Sequence, residues 1–352
     1  MKKMVLFLFL CLSLEAMSEG PKNVIIMIGD GMGINQIQAA YTQNGGMLNM
    51  TDRCPYVGLR RTNSVNNYTT DSAAGGTAIA TGKKTNNGMV GMSPDSVPLH
   101  SILRLATLNG LLTGVISTSS LTDATPASFV AHQPLRYMQE EIAADYLNSG
   151  INLFIGGGKK YFEQRKDGRN ISEEMEKKGY EVVYSLYEAK NVSGNLGVLL
   201  SEDGMDPFNK RENDFLANAT ELAIEQLSKD KKGFVLMVEG SQIDWGGHNN
   251  DQAWMIGEVL DFDKAVGKVL DFAEKDGNTL VIVTADHETG GVAIQGGNYD
   301  KKEVTVKYTT GGHSSSPVPL FAYGPGAELF SGFKDNTSSF YLIKELIGLR
   351  CE

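Results

Sequence analysis

The sequence predicts an α/β protein: a three-layer sandwich with helices on both faces of a mainly parallel central sheet. Three observations point there. Short apolar runs rich in Val and Ile recur along the chain, each bounded by glycine or polar residues, as strands buried on both faces should be. Segments of helical periodicity separate them. Three of the runs end in acids, as expected where strands deliver side chains to one rim of an open sheet.

In chain order, NVIIMIG at 23–29 leads directly into Asp30. The stretch TTDSAAGGTA at 69–78 is nearly free of bulk. A packed core wants bulk, so small side chains in a row imply a close approach to the backbone, and a helix starting at Ser72 would offer an anion its free N–H groups. Leu99, Ile102, Leu103 and Ala106 stand at i, i+3, i+4 and i+7, predicting a helix that stops at Gly110. LLTGVIS at 111–117 is the next strand. From Lys159 to about Asn213 the chain is polar, charged and weakly periodic, so residues 159–213 are expected to form a peripheral excursion from a single domain spanning 19–352. Phe215, Ala219, Leu222 and Leu227 mark a second helix. GFVLMVEG at 233–240 carries Glu239, and a third helix over 251–274 turns Val259, Val266, Val269 and Leu270 inward. NTLVIVTAD at 278–286 ends in Asp286 and His287, and PVPLFAYG at 317–324 is the last of the expected parallel strands.

Residues 1–18 are expected to be a signal peptide. Lys2 and Lys3 precede an apolar run, and Ala16-Met17-Ser18 supplies small residues for cleavage, so the product is expected to be exported, periplasmic or secreted. No later run is apolar and long enough to span a bilayer, and IKELIGLRCE lacks the hydrophobic tail of a glycolipid anchor, so no membrane anchor is expected. A net charge of −10 disfavours nucleic acid and anionic membrane surfaces. After cleavage only Cys54 and Cys351 remain, too few for a disulfide scaffold, and their pairing is left open.

A lone Asp at a strand end is most simply a helix cap. Asp30, Glu239 and Asp286 together, with His287 adjacent, instead suggest a cation, since clustered carboxylates repel unless neutralised. EGSQIDWGGH at 239–248 adds Asp244 and His248 within one turn, and TTGGH at 309–313 brings His313 on a glycine approach. Thus three of the five histidines sit beside Gly or Asp at strand edges, while His100 and His132 read as packing or hydrogen-bonding residues. Mixed Asp and His donors suit zinc and all-oxygen sets suit magnesium. The donors exceed what one zinc can use, so two or three ions are implied, and paired ions are a known device for phosphoryl displacement.

The ordered set IIMIGDGMG, TTDSAAGGTA, TGKKTNNG, TDATPASFVAH, VEGSQIDWGGH, VTADHETGG and TGGHSSSPVPLFAYG, with Arg136 after the fourth, resembles the alkaline phosphatases over 24–324. That resemblance implies one zinc on Asp244, His248 and His313 and a second on Asp30, Asp286 and His287. It also implies a magnesium on Asp30, Thr125 and Glu239, with Ser72 as nucleophile and Arg136 as phosphate clamp. No histidine adjoins Ser72 in sequence, so zinc takes the place of a general base. The implied function is hydrolysis of small phosphomonoesters of broad range at alkaline pH, through a phosphoserine, with retention at phosphorus. Two Zn²⁺ and one Mg²⁺ are the implied cofactors, and a homodimer is compatible with the family.

This chain departs from the family in two ways. The short interval between His287 and His313 leaves room for little or no crown. Asp123 with Trp245 is an unusual pair where some bacterial members carry Asp with Lys and animal members His at both. Asp123 is placed to reach waters on the third ion, and Trp245, in the phosphate vicinity beside Asp244, brings no cationic charge; packing at the rim is the alternative for both. A phosphodiesterase or sulfatase on the same scaffold is the rival enzyme class, but Ser72-Ala-Ala-Gly-Gly lacks the Pro and Arg of a sulfatase nucleophile motif. An exported metal- or phosphate-binding protein leaves Ser72 and Arg136 unexplained.

Overall fold

Strand β1 (Asn23–Gly29) is buried along its whole length, and its side chains alternate between two cores. Ile25 and Met27 join one core, beneath helices Ile34–Gln43, Phe215–Leu227 and Gln252–Asp276. Val24, Ile26 and Ile28 join the other, beneath Ser72–Thr81, Ile102–Leu108, Gln139–Ser149 and Ser338–Leu346. The period-2 alternation of a strand thus builds the three layers. The computed structural model describes residues 20–212 and 214–350; the expected leader at 1–18 and Cys351 lie outside them.

The remaining strands are β2 (Tyr56–Arg61), β3 (Leu112–Ser120), β4 (Leu153–Gly157), β5 (Tyr180–Val183), β6 (Asn195–Leu199), β7 (Phe234–Gly240), β8 (Thr279–Thr284), β9 (Glu288–Thr289), β10 (Ala293–Asn298), β11 (Glu303–Lys307), β12 (His313–Ser314), β13 (Val318–Tyr323) and β14 (Gly332–Asp335). Ten form one sheet in the order β14-β2-β13-β8-β1-β7-β3-β4-β6-β5, while β10 pairs with β11 and β12 with β9. All neighbours in the large sheet are parallel except β13, which runs against both β8 and β2.

The direction of β13 corrects the expectation of a parallel strand at 317–324. His313 lies at the rim where the parallel strands end, and only a few residues separate it from Val318, so the chain must run back down the sheet. The helix predicted from Leu99 begins later, because the Ser101 hydroxyl accepts from Arg104 N and caps Ile102–Leu108, leaving Leu99 outside. Within 159–212, β5 and β6 extend one edge of the sheet, while Met205, Phe208 and Arg211 reach back to Gln242 and Glu258; both strands are too short to show a period in sequence. By contrast, the long helix predicted over 251–274 is found at Gln252–Asp276, capped by Asp251 and ended at Gly277 with φ 72°. Adjacent strands β8, β1, β7 and β3 all end at one rim, and the predicted acids gather there.

Candidate active site

Asp30 follows β1 and Asp286-His287 follows β8, so the pairing of these two strands brings the three side chains together. His287 Nε2 lies 3.4 Å from Asp30 Oδ1 and 3.2 Å from Asp286 Oδ2. The same nitrogen lies 3.1 Å from Ser72 Oγ. All four side chains are buried. Asp286 Oδ1 accepts from Gly31 N and His287 N, whereas Asp30 Oδ1 and Asp286 Oδ2 have no hydrogen-bond donor among the described residues. Gly31 makes this approach possible. Its φ is 71°, and a Cβ there would stand 2.8 Å from both Asp244 Cα and Thr289 Oγ1.

Asp244, His248 and His313 form the second cluster, with His248 exposed. His248 Nε2 is 3.3 Å from Asp244 Oδ2, His313 Nε2 is 3.5 Å from Asp244 Oδ1, and the two Nε2 atoms are 3.2 Å apart. Nδ1 of His248 meets the Gly311 carbonyl at 2.8 Å and Nδ1 of His313 the Thr70 carbonyl at 2.9 Å. A carbonyl can only accept, so each Nδ1 carries a proton and donates it, and in the neutral ring Nε2 turns a lone pair inward. The clusters adjoin: the rings of His287 and His313 stack with centroids 3.6 Å apart.

Both clusters fit cations. In the enclosed cluster, buried carboxylate oxygens without donors are costly and a cation relieves them; in the open cluster, the two Nε2 atoms 3.2 Å apart beside Asp244 could share one proton or, with both rings neutral, one cation. Titration behaviour points the same way. Burial raises Asp286 to about 8, reinforced by the charge of Asp244. Burial also lifts Asp30 well above the carboxylate range, with Asp286 and Asp244 adding to it, and depresses His287. At Asp244 burial pushes upward, yet the hydrogen bond from His248, which in the metal-free chain is itself raised to about 9 and so protonated on both nitrogens, and the neighbouring imidazoles win and hold Asp244 at about 2.

Of the third predicted set, Thr125 Oγ1 donates to Asp30 Oδ2 at 3.3 Å. Glu239, at the end of β7, accepts from Ser117 Oγ at 2.5 Å, and burial lifts it to about 7 against its hydrogen bonds. Asp123 caps the short turn Ala124–Ser128 and pairs with Arg136 Nη2 at 3.2 Å. Arg136 Nη1 lies 3.4 Å from Asp71 Oδ2, so its guanidinium hangs between two carboxylates. The ring of Trp245 packs edge-on to Trp254 at 6.5 Å, and a Cβ on Gly204 would come 2.7 Å from it.

Three features escaped sequence reading. Asp71 is the N-cap of Ser72–Thr81: its Oδ1 accepts from Ala74 N while Oδ2 accepts from Gly88 N. Its place before Ser72 was the available signal. Thr289 donates to Asp244 Oδ1 and stands 3.2 Å from His287 Nδ1; its spacing two residues past His287, in β9, is the signal in the sequence. Finally, the small residues serve packing as well as approach, since a Cβ on Gly75 would be 3.0 Å from the Asp286 carbonyl and one on Gly76 3.1 Å from Ser128 Oγ.

The family model described as alkaline phosphatase matches residues 21–301. Alkaline phosphatase 4 of Bacillus subtilis is 33% identical over 93% of this chain and 88% of its own length. The alkaline phosphatase of Escherichia coli is 33% identical over 96% of this chain and 88% of its own. Among solved structures, a mutant of the alkaline phosphatase of the Antarctic bacterium TAB5, with Mg bound in its M3 site, superposes with a TM-score of 0.90 at 41% identity, covering 95% of this chain and 99% of that one.

Proposed function

The chain belongs to the alkaline phosphatase family and hydrolyses phosphate monoesters, and from that premise we propose that it does so at alkaline pH through a phosphoserine on Ser72. Zinc and magnesium are the family's metals. Here Asp244, His248 and His313 would hold one zinc, Asp30, Asp286 and His287 a second, and Asp30, Thr125 and Glu239 a magnesium. When bound, such cations lower the pKa of oxygen nucleophiles and offset charge on the phosphate.

The convergence of Ser72 Oγ, His287 Nε2 and two donorless carboxylate oxygens carries this reading. Ser72 Oγ bonds to phosphorus as the bond to the alcohol oxygen breaks; water then breaks the serine ester and releases inorganic phosphate. Each displacement inverts phosphorus, so configuration is retained. Ser72 opens a ten-residue helix whose cap uses Ala74 N, and the dipole and first N–H groups favour an anion there. Asp71 and Asp123 each hold one terminal nitrogen of the Arg136 guanidinium, which keeps further N–H donors for phosphate oxygens. Nothing in this set addresses the alcohol, which supports a broad substrate range.

A metal-free serine–histidine pair is the other use of the 3.1 Å Ser72–His287 contact. In a Ser-His-Asp triad, however, the carboxylate meets the opposite ring nitrogen. Here both carboxylates crowd the nitrogen that meets the serine. We also infer export from the basic and apolar residues of the leader. Among the described residues no helix is long and apolar enough to cross a membrane.

Assaying p-nitrophenyl phosphate and its bis-ester at alkaline pH, with and without chelator, tests the function. Turnover of the monoester alone, abolished by chelator, with label trapped on the Ser72 peptide at low pH, is expected. Preference for the diester, or chelator-resistant turnover, overturns it.

A further inference from the structure

We infer that Thr289 is a positioning residue that sets the tautomer of His287 and joins the two metal clusters through one hydroxyl. The inference rests on the assignment of cations to those clusters. Thr289 is fully buried and its hydroxyl touches one side chain from each cluster, Asp244 Oδ1 and His287 Nδ1. In the β9–β12 pair it also stands opposite His313.

A hydroxyl has a single proton to give. Ionised Asp244 can only accept, so the Thr289 proton goes to Asp244, and the proton between Thr289 and His287 must come from Nδ1. His287 Nε2 is then left with its lone pair toward Ser72, Asp30 and Asp286. His248 and His313 have Nδ1 set by backbone carbonyls, which no substitution removes. His287 alone of the three has it set by a side chain. The pocket also holds the rotamer. A Cβ on Gly31 would sit 2.8 Å from Thr289 Oγ1, and one on Gly247 would sit 3.0 Å from Thr289 Cγ2, so little space exists for the side chain to turn away. Partners that fix the outer nitrogen of a metal-ligating imidazole typically matter 10- to 100-fold in metal affinity.

Two substitutions test this. Thr289→Val keeps the shape and removes the hydroxyl; Thr289→Ser keeps the hydroxyl. Zinc competition against a chromophoric chelator should show about 10- to 100-fold weaker binding at both clusters for Thr289→Val and wild-type-like binding for Thr289→Ser. Imidazole ¹⁵N–¹H correlation spectra of metal-free wild-type protein should show His287 protonated at Nδ1. Unchanged zinc binding in Thr289→Val, weakening confined to one cluster, or a Thr289→Ser variant as defective as Thr289→Val would overturn the inference. So would an Nε2–H tautomer in wild type, a result that stands even if Thr289→Val fails to fold. A wild-type protein that takes up no zinc refutes the cation assignment instead, and the tautomer spectrum still decides the role of Thr289.

Discussion

The two clusters use the same side chains in inverted proportion, and they differ in how their polar atoms are satisfied. Asp244, His248 and His313 are half open to solvent, and backbone carbonyls occupy the outer nitrogens of both imidazoles. Asp30, Asp286 and His287 are all buried, and two of their carboxylate oxygens meet no donor among the described residues. The open cluster can exchange partners with water, whereas the enclosed one has only a cation to balance it. Ser72 is bonded to the enclosed cluster, so the nucleophile sits where charge is least screened and a cation acts most strongly.

Removing the nucleophile should have the largest effect. Ser72→Ala is expected to abolish label trapped at low pH and to cut turnover by several orders of magnitude. Wild-type trapping in that variant would detach the enclosed cluster from the chemistry.

Next come the clusters themselves. Asp286→Asn, which leaves burial intact, should weaken zinc binding at least ~10-fold more than His248→Gln at the open rim, as read by chelator competition. Equal losses would erase the distinction between enclosed and open sites.

A third test uses pH. Asp286 stands at about 8 and Glu239 at about 7 in the folded metal-free chain, above ordinary values of 3.8 and 4.5, with burial the main cause. Between about pH 4 and pH 8 these two carboxyls therefore bind more protons in the folded form than in the unfolded form, and their contribution to stability falls as pH rises, outweighing the opposite contribution below about pH 6.5 of His287, which burial depresses. The Tm of chelated protein should drop steadily from pH 5 to pH 8, and added zinc should raise Tm more at pH 8 than at pH 5. A Tm of chelated protein that rises over this range would contradict the enclosed cluster's dependence on a cation.

Smaller effects belong to the rim. Arg136→Ala should lower kcat/KM about 10- to 100-fold and weaken phosphate inhibition, less than the loss at Ser72, because the guanidinium holds charged oxygens rather than the breaking bond. If steady-state kinetics found the two variants equally inactive, Arg136 would need a part in bond breaking.

Much of this arrangement was readable before any fold was known. NVIIMIG predicted β1 to the residue, because a strand buried on both faces leaves an unbroken apolar run. The long helix carries its own punctuation in Asp251 and Gly277. Acids at the ends of three predicted strands pointed to one rim, and the structure gathers them there. Three things were hidden for physical reasons. Periodicity reports which face a residue takes but not which way a strand runs, so the apolar run at 317–324 does not reveal that β13 is antiparallel to its neighbours. Contacts between distant segments leave no local trace; Ser72 and His287 meet across 215 positions. Side chains that act through one hydrogen bond, such as Asp71 on Arg136 or Thr289 on His287, look like ordinary cap and strand residues.

Diffraction from zinc-loaded crystals, collected on both sides of the zinc absorption edge, tests the cation assignment most directly. Two anomalous peaks are predicted, one about 2.0–2.2 Å from donor atoms of Asp30, Asp286 and His287, the other at that distance from Asp244, His248 and His313. Fully active crystals with no peak at either cluster would contradict it.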